Sequence, residues 1–99
     1  MATDVQIDEK IKIEHKEPSK YKVVLLNDDF TPMDWVIDVL TKIYKYDTST
    51  AKQLMLSIHN EGSAVAGIYS YEVAEQKLTE TITASRNAGF PLDAKMEEE

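Results

Sequence analysis

Three groups of residues in this 99-residue chain have types and spacings that could do chemistry. The first is Asn27-Asp28-Asp29, which follows an apolar run and precedes a helix start. Asn and Asp are turn formers, and acids ahead of a helix complement its dipole, so a plain turn is one reading. As a group, however, they are an acceptor array: one amide oxygen and two oxygens on each ionised Asp. An ammonium group, with three donors and no acceptor, complements such an array. The second is His59, one helical turn beyond Met55 and beside an apolar stripe. It reads either as a helix-end histidine bonded to a carbonyl or as a polar group at the rim of a pocket. The third is the pair Met33 and Met55, either core residues or the adaptable lining of a pocket for varied apolar side chains. Met33 follows Asp29 closely enough to set a methionine wall beside the acceptors. Together these groups describe an ammonium acceptor above an apolar hole. A peptide N-terminus with a large apolar first side chain fits both parts.

No catalytic apparatus accompanies them. The three glycines lie far apart, so there is no Gly-rich phosphate loop, and no Gly-x-Ser-x-Gly elbow occurs. With no cysteine there is no thiol nucleophile, disulfide framework or thiolate zinc site. The only histidines are His15 and His59, and no His-Glu-x-x-His pair exists. A metal site from Asp28, Asp29 and His59 has no support from spacing. The chain is therefore expected to have no catalytic residues, no metal and no cofactor.

The elements that must position these residues follow from apolar periodicity. Residues 1–18 carry five acids, three lysines and no aromatic residue, and are expected to be a mobile N-terminal extension, with the domain spanning 19–99. Tyr21 to Leu26 reads as a short buried strand. Thr31 reads as the N-cap of a helix with Pro32 at its first position and Asp34 in its first turn. Met33, Val36, Ile37, Leu40, Ile43 and Tyr44 then form one apolar stripe. Asp47 or Thr48 can cap a second helix striped by Ala51, Leu54, Met55 and Ile58, and Gly62 can stop it. Ser63 to Tyr69 reads as a strand whose small residues call for close cover. Ser70 can cap a third helix, with Ala74, Leu78 and Ile82 on one side and Gly89 at its stop. Phe90, Leu92, Ala94 and Met96 alternate as a third strand, and Glu97 to Glu99 form a solvated end. The prediction is an α+β fold, a small three-stranded sheet with three helices packed on one face in the order βααβαβ.

Composition narrows the partners. Eighteen acids against eleven bases give a formal net charge of −7. Such a surface argues against nucleic acid and against an anionic membrane. No apolar run approaches the ~20 residues that span a bilayer, and the N-terminus lacks a secretory layout, so a cytoplasmic location is expected.

The run Asn27-Asp28-Asp29-Phe30-Thr31-Pro32-Met33, preceded by Tyr21-Lys22-Val23-Val24-Leu25-Leu26, resembles the bacterial ClpS adaptor family. The likeness continues through Val36-Ile37-Asp38-Val39-Leu40, Ala51, Gln53-Leu54-Met55-Leu56, His59, Glu61-Gly62, Gly67, Glu72-Val73-Ala74-Glu75, Lys77 and Pro91-Leu92. The resemblance implies a non-enzymatic adaptor. It would bind proteins with N-terminal Leu, Phe, Tyr or Trp and deliver them to the ClpA unfoldase of the ClpAP protease. It implies that Asn27, Asp28 and His59 hold the ligand's α-amino group, with Asp29 and Thr31 as supporting rim residues. Met33, Met55, Ile58 and Leu92 would line the side-chain pocket, Met33 as the gate against β-branched Val and Ile. Glu72 and Lys77 match positions for docking on the ClpA N-terminal domain, and the tail before Pro18 matches the extension used in delivery. Two positions depart from the pattern: Ile58 stands where Val is frequent, and Asn60 where some relatives carry an aromatic residue.

A site of this kind is expected to bind near micromolar, about −8 kcal/mol. If His59 accepts a proton from the ammonium, binding weakens as pH falls through about 6–6.5, the range of an unperturbed ring. Two alternatives lead elsewhere: a ribosomal-stalk-like acidic interaction domain, which needs no ammonium site, or a purely inhibitory ClpA regulator. A small aminopeptidase would need a metal or nucleophile the sequence does not supply. A monomer is expected.

Overall fold

A computed structural model describes residues 18–99. The expected tail of residues 1–18 lies outside them save for Pro18. The elements are β1 (Tyr21–Leu26), α1 (Met33–Lys42), α2 (Thr48–Glu61), β2 (Ser63–Tyr69), α3 (Tyr71–Asn87) and β3 (Asp93–Glu98). The βααβαβ order matches the expectation.

The sheet is antiparallel throughout, with strand order β2-β1-β3. The most apolar strand, β1, thus takes the centre, where both of its edges are paired. Val23 and Leu25 point into the core with no exposed surface, next to Ala94 of β3. Cross-strand partners share a face. Lys22 therefore lies with Ile68 and Glu97, and Val24 with Val65 and Lys95, on the side away from the core cluster. The helices cover the other face. α3 crosses all three strands, α2 packs on β2, and α1 packs on α2. Three polar bonds tie α1 and the residues after it to α3. Trp35 Nε1 donates to Ser85 Oγ at 2.9 Å, Tyr44 and Thr81 share a hydroxyl bond at 2.7 Å, and Lys77 Nζ donates to the Ile43 carbonyl at 2.7 Å.

β2 carries a bulge. Val23 opposes Gly67 while Val24 opposes Val65, which leaves Ala66 as the extra residue. The Ala66 carbonyl accepts the Tyr46 hydroxyl at 2.6 Å, so the interrupted ladder does not leave it unpaired. The close cover predicted over the small residues of β2 is the Tyr69 ring, which occupies the space a Cβ at Gly67 would need.

Three local expectations are corrected. Thr31 does not cap α1: the helix begins at Met33 with Pro32 at its N-cap, and no side chain bonds that cap. The Thr31 hydroxyl is used elsewhere, as described below. The stripe of α1 also outruns its helix, because Ile43 is the C-cap, yet Tyr44 remains buried in the connection to α2. Finally, the third strand starts at Asp93 rather than Phe90 and runs on through Glu98. Residues 90–92 are held by the end of α3 instead of a ladder. Phe90 N–H donates to the Ser85 carbonyl at 2.8 Å, and Arg86 donates to the carbonyls of Phe90 and Leu92 at 3.1 and 2.7 Å. Glu97 and Glu98, expected as a loose end, pair with Lys22 and Tyr21.

The Tyr69–Gly67 contact yields a double-mutant test. Gly67→Ala is expected to cost about 1–3 kcal/mol in urea unfolding, because the Tyr69 ring must swing aside. In a Tyr69→Ala background the same change should cost markedly less. Equal costs in both backgrounds would mean the ring is not what requires glycine.

Candidate functional site

Residues between 27 and 59 converge on one cleft of about 350 Å³. Its walls come from the β1–α1 connection (Asn27 to Pro32), the first turns of α1 (Met33, Val36) and the C-terminal half of α2 (Met55, Ile58, His59). Volumes of ~300–1,000 Å³ are usual for ligand clefts, so this one suits a single large side chain with its adjoining backbone.

The cleft forms because the connection is anchored at both ends. Asn27 N–H donates to the Gly62 carbonyl at 2.9 Å, which holds the end of β1 against the end of α2. Gly62 can occupy that corner because it sits at φ +93°, a left-handed conformation that stops α2. His59, in the last turn of α2, is thereby brought to the same cleft as Asn27.

Asp28 organises the rest of the loop. Its Oδ1 accepts the N–H groups of Phe30 and Thr31 at 2.8 and 2.7 Å, and its Oδ2 accepts the Thr31 hydroxyl at 2.7 Å. A carboxylate has about four acceptor sites, so three are already used and one remains on Oδ2. Desolvation pushes this carboxyl up. The Thr31 hydroxyl, the Thr31 and Phe30 N–H groups and the charge of Arg86 more than offset that, and the net pKa lies below the ordinary value of 3.8. Asp28 is therefore an ionised fixture of the loop. Asn27 and Asp29, both exposed, accept no side-chain hydrogen bond among the described residues, so their oxygens are unspent.

The floor is apolar. Met55 and Ile58 are buried at 8% and 2% exposed, Val36 is buried beside them, and Met33 is half-exposed at the mouth. The cleft thus joins oxygen acceptors to an apolar hole. Of the expected residues, Asn27, Asp28, Asp29, Thr31, Met33, Met55, Ile58 and His59 all line it. Leu92 does not: it is a core residue, 1% exposed, at the end of the loop that Arg86 clamps. Phe30, Pro32 and Val36 line the cleft without having been singled out. Val36 was reachable, since it lies one turn from Met33 on the same stripe. Phe30, 80% exposed in a polar turn, carried no periodic signal.

Glu72 and Lys77 lie on α3 and do not line the cleft. Glu72 is exposed in the first turn. Lys77 is half-buried, its ammonium spent on the Ile43 carbonyl at the end of α1. Among the described residues no three His, Cys, Asp or Glu side chains cluster as a metal site, and no helix is long and apolar enough to cross a membrane.

Known proteins share this arrangement. The family model of the ATP-dependent Clp protease adaptor protein ClpS matches residues 16–95. The chain belongs to the ClpS family. The ATP-dependent Clp protease adapter protein ClpS of Burkholderia mallei (strain SAVP1) is 46% identical over 95 residues, covering 96% of this chain and 91% of that relative. The ClpS of Burkholderia cenocepacia (strain HI2424) is 51% identical over 83 residues, covering 84% and 80%. Among solved structures, Agrobacterium tumefaciens ClpS2 bound to L-phenylalaninamide superposes with a TM-score of 0.82 at 38% identity, covering 84% of this chain and all of that one. The similarity makes this chain a ClpS adaptor of the Clp protease by family.

Thr31→Val tests the role of the Asp28 loop. The hydroxyl bond is charge-assisted but partly solvated, so its loss is expected to cost about 1 kcal/mol at pH 7. A carboxyl whose folded pKa is depressed contributes stability above its unfolded pKa and loses it as pH falls through the folded one. The difference between wild type and variant should therefore persist at pH 5 and shrink at a pH well below 3.8, the ordinary carboxyl value. Urea unfolding at the three pH values measures it, and a pH-independent difference would assign the effect to packing instead.

Proposed function

We propose that the cleft binds the free N-terminus of proteins whose first residue is Leu, Phe, Tyr or Trp. The chain, as a cytoplasmic monomer without enzymatic activity of its own, then presents them to the ClpA unfoldase of the ClpAP protease. The observation that carries this reading is the junction of unspent oxygen acceptors with an apolar floor. Asn27, the remaining acceptor of Asp28 and His59 would take the ammonium; Asp29 would add charge at the rim. Met33, Met55, Ile58 and Val36 would enclose the side chain. The phenylalaninamide bound by the Agrobacterium ClpS2 has the same two parts, an α-ammonium and a large apolar side chain, and supports it.

Magnitudes favour selectivity for a free amine. Each charge-assisted hydrogen bond contributes roughly 1.5–3 kcal/mol, and a buried Leu or Phe side chain about the same. Acetylation removes the charge and leaves acceptors facing an apolar group. That loss exceeds the ~0.8 kcal/mol of one methylene. β-branched side chains carry bulk at Cβ, where Met33 stands at the mouth, and are excluded by shape.

Glu72 is proposed to dock on the N-terminal domain of the unfoldase. Lys77 would act there through its aliphatic face and by holding the end of α1, since its ammonium is already engaged. The segment before Pro18 is proposed to be the extension that acts in delivery.

Fluorescence anisotropy with labelled peptides tests the cleft. Peptides beginning with Leu or Phe should bind near micromolar, while Val-first, Arg-first and acetylated Leu peptides should bind at least tenfold more weakly. Asp28→Ala should abolish binding. His59→Ala, which removes one of the proposed acceptors of the ammonium, should weaken binding of the Leu peptide about tenfold. Tight binding of the acetylated peptide would overturn the reading.

A further inference from the structure

The cleft accounts for the first residue of a ligand, but Phe30 is not used by it. Its ring is 80% exposed, the most exposed large apolar side chain among the described residues, yet it belongs to the cleft lining. It has no aromatic partner there; the close ring pairs are Tyr21 with Tyr71 and Trp35 with Phe90. Its backbone is anchored at the mouth, because its N–H is held by Asp28 Oδ1 at 2.8 Å within the same turn that orders Thr31. An exposed aromatic ring on an anchored backbone, without an aromatic partner among the described residues, leaves apolar surface at the mouth of the cleft for a ligand to cover. Pro32 and Met33, the latter 45% exposed, extend it as an apolar lip along the cleft.

We propose that Phe30, with Pro32 and Met33, forms a second subsite that takes an apolar or aromatic side chain at the second residue of the ligand. This rests on the binding of a free N-terminus in the cleft. When the first side chain is in the hole and its ammonium on the acceptors, the chain must leave through the mouth. The second Cα is then only about 3.8 Å from the first. Side chains alternate along an extended segment, so the second cannot follow the first into the hole and instead lies along the wall. The lip belongs to the cleft lining and is apolar, and a large apolar side chain there covers the exposed surface of Phe30.

Four peptides that begin Phe-Leu, Phe-Trp, Phe-Ala and Phe-Arg and are otherwise identical test it by anisotropy. They would be titrated against wild type, Phe30→Ala and Phe30→Tyr. The quantity read is the ratio of each affinity to that of the Phe-Ala peptide, whatever happens to the affinity common to all. Wild type is expected to favour Leu and Trp over Ala about three- to tenfold. Phe30→Ala should bring both ratios to near one, and Phe30→Tyr should retain them. Ratios near one in wild type, or ratios unchanged in Phe30→Ala, overturn the second subsite while Phe-Ala binding leaves the first intact. An advantage confined to the Phe-Arg peptide also overturns it, since charge rather than apolar cover would then act. Failure of all four peptides to bind wild type removes both the cleft reading and this one.

Discussion

Three hydrogen bonds onto one carboxylate shape this molecule's working end. Asp28 sits where the central strand stops and the first helix has not begun. It binds the backbone N–H groups of Phe30 and Thr31 and the hydroxyl of Thr31. Without these bonds, the turn would leave two N–H groups unpaired and set the Asp28 charge beside Asp29 with no donors around it. With them, the negative charge is held among donors, and the chain enters α1 with Met33 at the mouth and Val36 in the floor. The Asp28 carboxylate is a structural element first and a ligand acceptor second. It has one site left to give, which makes Asn27 and Asp29 the freer acceptors. The proposed amine recognition therefore uses an electrostatic field built mainly to fold a turn.

What lies beneath this turn is arranged so that it cannot shift. β1 is paired on both edges and anchors Asn27 through the Gly62 carbonyl, so strand and helix ends meet at a fixed separation. The bulge at Ala66 is held by Tyr46, and the 90–92 loop is held by Arg86. In each case an interruption of regular structure is closed by one side chain that supplies the missing donor, as buried backbone polar groups require. Among the described residues no buried side-chain polar atom is left without a partner. The cleft is consequently an open space between satisfied elements, with its unspent acceptors at its rim.

The sequence told most where one physical effect dominated. Tyr21 to Leu26 is apolar and β-branched enough to be the centre of a sheet, and Gly62 could be placed as a helix stop because few residues adopt its left-handed φ. The acceptor array and the methionines were legible because their chemistry is unusual for their places. Legibility failed where a side chain had two possible partners. Thr31 has the right type and position to cap a helix, but the Asp28 carboxylate competes for the same hydroxyl and, being charged, wins. Phe90 and Leu92 alternate like a strand, but Arg86, distant from neither, takes their carbonyls first. Leu92, assigned to the side-chain pocket by the family pattern, lies in the same core cluster as Met55 and Ile58 but not among the residues lining the cleft. Phe30 stands in the run that carries the family resemblance, but no periodicity assigned it a role, since an exposed aromatic in a turn is defined only by what surrounds it.

The two faces required of an adaptor are joined by polar bonds that packing alone would not demand. α1 supplies Met33 and Val36 to the cleft, while α3 carries Glu72 and Lys77, the proposed docking residues. Trp35 to Ser85, Tyr44 to Thr81 and Lys77 to the Ile43 carbonyl connect the two helices or the chain just beyond them. Polar bonds are directional where apolar contacts are not, so they fix how α1 lies on α3 as well as how close it lies. A rigid link of this kind is unsuited to signalling between the faces, which would need an element with two arrangements. It suits holding two partners at a set distance. On the proposed function, such a link would raise the local concentration of one partner near the other.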